Sequence, residues 1–561
     1  MSNNINLKTD ILIAGGGIAG LTAAVIAKEK NPECEVLIIE KQTCGYSGKA
    51  NRGGGVLQYF DLNRIKPIEF VAYHANSVGC FLGDQEQMLK YVSLNNTMIH
   101  KLEEWGVKIP RNEEGSLKIV PTGPMTGMVG VDLDITIQVR RTAEKKGVKI
   151  IDKVTLSDLL VKNNQAIGAT AYSILEGTFY TIQAKSVILA TGSQNYRIVN
   201  MWANGRGDGI AAAYRAGVEM RNAEFGNFAQ LFKVASHHEL VFNENCLYNV
   251  QDENITKNFR LFPEADINSD ALAEWYNQMS AGKGPISMKP ETCPMTKDDE
   301  VLFTTSNIWE RPYGLKFWQT IYRKCHEVDV NNEVAPGFLG EQSPVKVGRN
   351  METTVNHLYA IGDMSYAGSC IAGAVPAPPG RNRGSGILNA VFAGIVAAEK
   401  TVEALPTCVY QELDENQVKA QRERTFAPLE RSSGITAKEL IQEVQRIIAP
   451  VENSIYMTDQ RLGICLRKIE AIKAKVDQLK ADDYHALLSC HEAEAMVLSA
   501  EMFFKAALMR KETRGWFRRE DYPGRDHKNG LKWITIKNQM GEMVMGTEAV
   551  PVEKYPIKPY C

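Results

Sequence analysis

Residues 9–40 read TDILIAGGGIAGLTAAVIAKEKNPECEVLIIE, and this stretch decides the fold of the chain. Its pattern predicts an apolar strand over 9–14, a helix over 21–30 and a second apolar strand over 36–39. A glycine-rich turn joins the first strand to the helix, and an acidic residue ends the second strand. This order of strand, glycine turn, helix, strand and acid is typical of a dinucleotide-binding βαβ unit.

The spaced glycines of this turn each have a distinct predicted role. Gly15 permits the tight turn out of the strand, Gly17 lets the backbone approach a pyrophosphate, and Gly20 lets the helix pack closely on the strand. The pyrophosphate is expected at the helix N-terminus, where free N–H groups and the helix dipole favour negative charge. Glu40 is placed to accept hydrogen bonds from the adenosine ribose.

The bulk composition argues against several classes of protein. A length of 561 residues predicts two or three domains. The content of 44% hydrophobic and 23% charged residues is ordinary for a globular protein. A net charge of −2 argues against nucleic acid or an anionic membrane as the main partner. No apolar run approaches the roughly 18 residues of a membrane span, and residues 1–8 lack the apolar stretch of a secretory signal. We therefore expect a cytoplasmic protein with no membrane span.

The eleven cysteines indicate scattered reduced thiols. Their spacing is irregular and none forms a C-x-x-C pair, whereas an iron–sulfur cluster needs clustered thiolates. We expect neither a metal site nor a cluster in this chain.

Two further signals extend the nucleotide-binding domain. SVILATG at 186–192 is an apolar strand ending in Ala-Thr-Gly, and GRGDG at 205–209 opens a helix expected over 210–216. HLYAIGD at 357–363 is another apolar strand, which ends in Gly-Asp. Residues 225–345 are rich in polar loops and prolines, which predicts an inserted domain.

Beyond residue 415 the apolar residues recur at helical spacing. They predict helices over 437–448, 461–479 and 484–510, and the tail of about fifty residues is basic and expected to be loop-rich. The predicted division of the chain is 1–224 for the first part of the nucleotide-binding domain, 225–345 for the insertion, 346–414 for the second part, and 415–561 for a helical domain with its tail.

Four groups of residues carry a family signal across nearly the whole chain. They are the glycine motif with Glu40–Lys41; Ala190–Thr191–Gly192 with Gly207–Asp208–Gly209; LYAIGD at 358–363 with NRGSG at 382–386; and RKETRG at 510–515 with REDYP at 519–523 and RD at 525–526. Together they resemble the flavoprotein subunits of fumarate reductase and succinate dehydrogenase, a family that includes L-aspartate oxidase and the adenylylsulfate reductase alpha subunit. The resemblance implies an α/β fold: a Rossmann-type FAD-binding domain, an inserted α+β capping domain and a C-terminal helical domain.

The same resemblance, with the strand ends and glycines, predicts the residues that bind FAD. Asp363 is expected to hold ribityl or pyrophosphate hydroxyls, and the helix opened by Ser385 is expected to support the pyrimidine end of the flavin. The full predicted set is Gly15, Gly17, Gly20, Glu40, Lys41, Ser47, Gly48, Gly53, Gly54, Ala190, Thr191, Gly192, Asp208, Gly362, Asp363, Ser385 and Ile387.

The sequence also departs from the family pattern in ways that bear on chemistry. Ser47 stands where the dehydrogenase members carry the histidine that bonds to FAD, so we expect non-covalent FAD, as in adenylylsulfate reductase. After Glu224–Phe225, Ala229 stands where the dicarboxylate enzymes carry a substrate-gripping histidine. The Arg-Gly-Glu-Gly segment that supplies their catalytic arginine is not found. Both losses argue against succinate or fumarate as the substrate.

Candidate catalytic residues come from the insertion and from the loop before the last Rossmann helix. Arg383 matches the family arginine that binds a substrate carboxylate, and its guanidinium suits carboxylate, sulfate or phosphate equally; a structural salt bridge is the alternative. Arg260 and Arg311 are candidates for a catalytic or anion-binding arginine, although each is more often a surface residue. His238 suits acid–base chemistry or a solvated structural role. Lys49 is expected either to stabilise anionic reduced flavin or to bind phosphate.

Three functions remain open from the sequence. The leading hypothesis is an FAD-dependent oxidoreductase subunit that transfers electrons between a small anionic substrate and a separate ferredoxin-like iron–sulfur subunit. The second is a stand-alone L-aspartate-oxidase-like enzyme that uses oxygen. The third is an electron-transfer flavoprotein without small-molecule turnover, against which the sizeable insertion argues.

Overall fold

A computed structural model gives the fold of the chain. It describes residues 4–51, 55–121, 125–131, 134–199, 205–234, 246–257, 259, 268–289, 292, 332–366 and 385–559.

The described residues form α-helices and β-strands with the following bounds. The helices are α1 (Ile18–Lys30), α2 (Pro67–Ser77), α3 (Gln85–Glu104), α4 (Ile135–Lys145), α5 (Asp208–Arg215), α6 (Asn268–Ser280), α7 (Ser385–Ala404), α8 (Glu415–Glu430), α9 (Ala437–Ile448), α10 (Val451–Ser454), α11 (Asp459–Lys473) and α12 (Tyr484–Met509). The strands are β1 (Asn4–Ala14), β2 (Val36–Glu40), β3 (Val56–Tyr59), β4 (Val120–Pro121), β5 (Gly127–Gly130), β6 (Lys149–Asp152), β7 (Val154–Lys162), β8 (Gln165–Ser173), β9 (Phe179–Leu189), β10 (Met220–Arg221), β11 (Ala229–Lys233), β12 (Leu247–Tyr248), β13 (Ser287–Met288), β14 (Val334–Phe338), β15 (Val345–Lys346), β16 (Leu358–Ala360), β17 (Ser365–Tyr366), β18 (Tyr456–Met457), β19 (Arg518–Arg519), β20 (Lys532–Gln539) and β21 (Glu542–Ala549).

The central sheet brings four strand ends to one edge. Its parallel strands run in the order β6–β2–β1–β9, and β16 pairs with the second half of β9 while β8 and β7 continue the sheet antiparallel from its first half. Ala14 pairs with Ile39 and Leu189, and Ala360 also pairs with Leu189, so the carboxyl ends of these strands are level. In open α/β sheets this edge is where nucleotides bind.

Helices α1 and α7 pack against each other beside the central sheet. Residues Ile18–Ala27 of α1 are all buried, so this helix is apolar on every side rather than amphipathic. Most of α7 is buried in the same hydrophobic core. The two helices therefore form one covering layer of the Rossmann domain.

Helix α7 corrects one expectation from the sequence. No apolar run of membrane-spanning length was expected, yet Ser385–Thr407 is the one helical segment within the described ranges that is long and apolar enough to cross a membrane. Its apolar window is 72% buried inside the protein. A core helix of a globular domain passes the same test, and the packing of α7 against α1 is of that kind.

The chain enters and leaves the insertion through a two-stranded stem. Strands β11 and β14 pair antiparallel from Ala229–Phe338 to Lys233–Val334. Within the insertion, the described parts include helix α6 and the short β12–β13 pair. Helix and antiparallel strand occur together there, as expected for an α+β domain.

The C-terminal region is helical up to α12, and its tail differs from the expectation. Helices α9, α11 and α12 pack on one another around a second hydrophobic core. The tail, expected to be loop-rich, contains the β20–β21 hairpin, which pairs with β10 of the Rossmann region. Met540 and Gly541 form its two-residue turn, and both have positive φ, 53° and 90°, as tight hairpin turns require.

Candidate functional site

The glycine turn between β1 and α1 is shaped by close backbone contacts. Gly15 has φ 111°, and a Cβ there would lie 2.3 Å from the Ala190 carbonyl oxygen. A Cβ on Gly20 would lie 2.1 Å from the Gly15 carbonyl oxygen. Side chains at these positions would therefore push the helix away from the sheet.

Gly17 is different because open space faces it. It is the N-cap of α1, and the nearest atom to a Cβ at this position would be the Gly48 Cα at 4.0 Å. The first turn of α1 carries no acidic side chain, so its free amides and the positive end of the helix dipole are available to an anion in this space. Gly17 and Gly48 thus line a gap suited to a phosphate group.

Glu40 is held firmly at the end of β2. Its Oε2 accepts a hydrogen bond from the Gly16 amide at 2.7 Å, and its Oε1 accepts one from the Gln42 amide at 2.8 Å. The Ser47 hydroxyl lies 3.0 Å from the same Oε1 and 2.9 Å from the Thr43 carbonyl oxygen. The carboxylate therefore ties the glycine turn to the loop that follows β2.

Lys41, the next residue, belongs to a partly buried group of charges. Its Nζ lies 2.5 Å from Asp208 Oδ2 and 3.0 Å from Glu492 Oε1. Burial opposes the charged ammonium, but Asp208 and Glu492 outweigh it and raise the pKa of Lys41 above its usual value. Asp208 begins α5, whereas Glu492 comes from the C-terminal helix α12.

Sequence reasoning named Lys41 and Asp208 but missed Glu492. The available signal was a carboxylate within the largely apolar run of α12, since a charge on a buried helix is rarely left without a partner. Arg197 and Arg206 complete the group, with Arg197 Nη1 3.3 Å and Arg206 Nε 3.8 Å from Glu492 Oε2.

The loop after β9 and the start of α5 are also in close contact. Gly192 has φ 81°, and a Cβ on Gly209 would lie 2.2 Å from the Thr191 hydroxyl oxygen. The Ala190 amide donates to the Ala14 carbonyl oxygen at 2.7 Å, which continues the pairing beyond the strand end. The second glycine motif thus meets the first at the carboxyl edge of the sheet.

Lys49, in the loop that follows Ser47, is paired with two carboxylates from distant segments. It forms a short ion pair with the buried Glu341, and its Nζ lies 3.6 Å from Asp363 Oδ2. Burial raises the pKa of Asp363, and Lys49 opposes that effect. Glu341 follows β14, so this group joins the loop after β2, the exit from the stem and the end of β16.

Of the remaining predicted cofactor residues, Gly362, Ser385 and Ile387 lie within the described residues, and Gly53 and Gly54 do not. Gly362 has φ 64°, and Ser385 and Ile387 lie in the first turn of α7, which packs on residues 362–364. Gly53 and Gly54 lie outside the described residues, as do the candidate catalytic residues Arg383, Arg260, Arg311 and His238.

The FAD-binding domain model matches residues 10–241, and the model for the fumarate reductase flavoprotein C-terminal domain matches residues 442–560. The chain belongs to the fumarate reductase and succinate dehydrogenase flavoprotein family. It is 24% identical to the 8-methylmenaquinol:fumarate reductase flavoprotein subunit of Wolinella succinogenes, over 98% of this chain and 92% of that one.

Solved structures of this flavoprotein family share the fold. A variant of the E. coli quinol fumarate reductase protein FrdA superposes with a TM-score of 0.82 at 20% identity, covering 100% of this chain and 99% of that one. Adenylylsulfate reductase from Archaeoglobus fulgidus superposes with a TM-score of 0.77 at 21% identity, covering 100% and 98%. The Rossmann-type FAD-binding domain and the C-terminal helical domain are therefore as expected.

This family member is an FAD-dependent oxidoreductase, and its residues fit the cofactor. The gap at Gly17 and Gly48 suits the pyrophosphate, and Glu40 at the end of β2 suits the ribose. Asp363, at the end of β16, is a buried carboxylate on the same edge. Each role is assigned from position on the sheet, and the residue assignments remain predictions.

A second buried network joins the Rossmann region to the tail of this flavoprotein. Arg510 contacts both Glu224 and Glu512, and Arg514 donates to Glu512 and to the Cys80 carbonyl oxygen. Burial raises the pKa of Glu224, an effect that Arg510 opposes. The network ties the RKETRG segment to the residues just before the stem.

Proposed function

We propose that this flavoprotein transfers electrons between a small anionic substrate and a separate iron–sulfur subunit. The observation that carries the proposal is the attachment of the stem beside the cofactor edge. Gln342, just beyond β14, pairs its backbone with Gln194, and the Tyr196 amide donates to the Leu339 carbonyl oxygen at 3.2 Å. The insertion is thus anchored on the loop that follows Gly192, where a domain covering the flavin would have to begin.

A substrate between the insertion and the flavin would need cationic groups to bind an anion. We assign this role to Arg383, with Arg260 or Arg311 from the insertion, because a guanidinium fork binds planar oxyanions with two hydrogen bonds. His238 is the candidate for acid–base work in the same region. Their side-chain chemistry, rather than any contact, supports this assignment.

The position of Ala229 argues against succinate and fumarate as substrates. It lies on β11, is buried, and pairs with Phe338 of β14. A methyl group cannot donate a hydrogen bond to a carboxylate, so the contact that a histidine would supply there is lost. A sulfur oxyanion or a different small acid fits the proposal better.

FAD supplies the two-electron chemistry when it is bound. Glu40 would hold the ribose, Gly17 and the α1 amides the pyrophosphate, and Asp363 the ribityl hydroxyls. Lys49 would offset negative charge on the reduced flavin. Ser47 has no ring nitrogen for a covalent bond, which supports a non-covalent cofactor.

Covalent attachment is tested by precipitating the holoprotein with acid. Non-covalent FAD appears in the supernatant with the spectrum of free FAD, whereas a yellow pellet would contradict the expectation from Ser47. A dehydrogenase flavoprotein whose FAD is bonded to the histidine at this position, precipitated in the same way, is the positive control and should give a yellow pellet.

The electron partner is proposed from the cysteine pattern and from the relatives. Eleven irregularly spaced cysteines without a C-x-x-C pair do not form a cluster motif. The Wolinella succinogenes relative is named as a subunit, so it works within an assembly. We also propose a cytoplasmic location, which cell fractionation with a tagged chain would test.

Anaerobic photoreduction of the flavin tests the proposal as a whole. The reduced protein is mixed separately with fumarate, adenylylsulfate and air, and flavin absorbance is followed. Slow reoxidation by fumarate and by air is expected, with fast reoxidation only when an iron–sulfur protein recovered with the tagged chain is added. Fast reoxidation by fumarate would contradict the Ala229 argument, and fast reoxidation by air alone would favour a stand-alone oxidase.

A further inference from the structure

Lys41 and the four charged residues near it form a cluster that joins two domains. We call Lys41, Arg197, Arg206, Asp208 and Glu492 the adenosine-end cluster. Three are cations and two are carboxylates, and Glu492 contacts all three cations. Only Glu492 belongs to the C-terminal helical domain, because it lies on α12.

The position of the cluster places it beside the adenosine half of FAD. Lys41 directly follows Glu40, the acid that ends β2 and reads the ribose in a dinucleotide-binding unit. Asp208 begins α5, immediately after the left-handed Gly207 of the second glycine motif. Both residues therefore lie at the carboxyl edge of the sheet. Glu492 contacts Lys41 directly, and Lys41 in turn contacts Asp208.

The three cations of the cluster stabilise the ionised form of Glu492. Burial alone would raise its pKa, yet Lys41, followed by Arg206 and Arg197, lowers it below the usual value. The Glu492 side chain is only 9% exposed. Without its charge, Lys41, Arg197 and Arg206 would lose the carboxylate that they share, and repulsion among these three cations would move the Lys41 side chain.

We propose that Glu492 is a positioning residue for FAD: it holds Lys41 and Asp208 in place at the adenosine end, so that helix α12 is part of the cofactor site. The coupling is reciprocal, because binding and docking are linked equilibria. FAD therefore stabilises the docking of α12 on the Rossmann domain, and loss of the Glu492 contact weakens the binding of FAD.

The test compares two carboxylates on the same helix. Glu494 also lies against the Rossmann region, with its side chain 28% exposed, but it pairs with Arg215 and Arg424, outside the cluster. Holoproteins carrying Glu492→Gln or Glu494→Gln are diluted, and the rise in flavin fluorescence gives the rate of FAD release. Because affinity changes in related complexes appear mainly in dissociation, Glu492→Gln should release FAD about tenfold faster than the unmodified protein.

The control variant separates positioning from general stability. Glu494→Gln removes the interdomain ion pair with Arg215 and the pair with Arg424 of α8, so it should also lower thermal stability, with release of FAD within about twofold of the unmodified protein. Equal acceleration by both variants, or no acceleration by Glu492→Gln, overturns the proposal.

A measurement on the unmodified protein covers the case in which Glu492→Gln does not fold. Hydrogen exchange is compared with FAD bound and after FAD has been removed, in α12 (Tyr484–Met509) and in α11 (Asp459–Lys473). FAD should protect the amides of α12 around Glu492 more than those of α11. Equal protection of the two helices, or none in α12, contradicts the coupling.

Discussion

Arg510 donates from Nε to Glu224 Oε1 at 2.7 Å, and both side chains are almost completely buried. The same guanidinium donates to Glu512 Oε1 at 2.8 Å and to the carbonyl oxygens of Gly530 and Lys532. The Arg510 guanidinium therefore pairs with hydrogen-bond acceptors from three places: the residues just before the stem, the tail and strand β20.

Replacing Arg510 should destabilise the protein strongly. Arg510→Met leaves Glu224 and Glu512 as buried carboxylates without this partner, which typically costs about 3–5 kcal/mol. The neighbouring Lys511 pairs with Asp459 at the surface, so Lys511→Met should change stability by less than about 1 kcal/mol. Thermal unfolding of the two variants decides the matter, and a similar small shift in both would show that the buried network contributes little.

Replacement by alanine should affect FAD binding at Gly17 and thermal stability at Gly20. Gly17 is extended, with φ −75°, and a Cβ would meet no atom closer than 4.0 Å, so Gly17→Ala should fold normally and lose affinity for FAD. A Cβ on Gly20 would lie 2.1 Å from the Gly15 carbonyl oxygen, so Gly20→Ala should lower the unfolding temperature. Flavin content and thermal unfolding are measured on both. Full flavin content in a folded Gly17→Ala protein would contradict the predicted pyrophosphate site.

His74 should make stability depend on pH. Its ring is fully buried, neither nitrogen has a hydrogen-bond partner in the part of the chain that the structure describes, and burial lowers its pKa from 6.5 to about 3. Below pH 6.5 the unfolded chain binds a proton that the folded protein does not, so stability is full above pH 6.5 and falls as the pH falls. At about 1.4 kcal/mol per pH unit, the loss at pH 5 is about 2 kcal/mol.

His74→Leu removes this proton and keeps an apolar side chain against Phe70 and Gly79. Its unfolding temperature should therefore fall less than that of the unmodified protein between pH 7.5 and pH 5. Parallel falls in the two proteins would assign the acid sensitivity to other groups.

Lys49 should set the reduction potential of the flavin. Its removal leaves the carboxylates of Glu341 and Asp363 without their shared cation, and added negative charge disfavours the reduced, anionic flavin. Lys49→Met should lower the midpoint potential by about 30 mV or more, a tenfold change for a two-electron couple. Lys8, which packs on Tyr410 away from the carboxyl edge, provides the control variant Lys8→Met. A titration with redox dyes compares them, and equal potentials would place Lys49 away from the flavin.

The local pattern of the sequence was sufficient for most of the fold. The strand expected over 36–39 is Val36–Glu40, and the helix expected over 437–448 is Ala437–Ile448. Hydrophobic periodicity reports burial of a face, which is what these elements have in common. The β20–β21 hairpin was not predicted. Its signal was two runs of eight residues, containing β-branched and aromatic residues and separated by Met540–Gly541. The charged residues of the tail obscured this strand pattern.

The site was only half predictable for a different reason. Residues of the glycine motifs are near each other in sequence, so their shared edge follows from strand order. Glu492 lies 451 positions from Lys41, and Glu341 lies 292 positions from Lys49. A lysine that is removed from most of its water needs an anion, but only the packed structure shows which carboxylate it contacts.

The β11–β14 stem has a consequence for how such proteins diversify. Since the chain leaves the Rossmann region at Lys233 and re-enters at Val334, its two crossing points are neighbours in one ladder. A segment held by adjacent ends can be lengthened, shortened or exchanged without stretching the sheet beneath it. The same FAD-binding domain can therefore carry insertions of different length and sequence, while the strands beneath the stem stay unchanged.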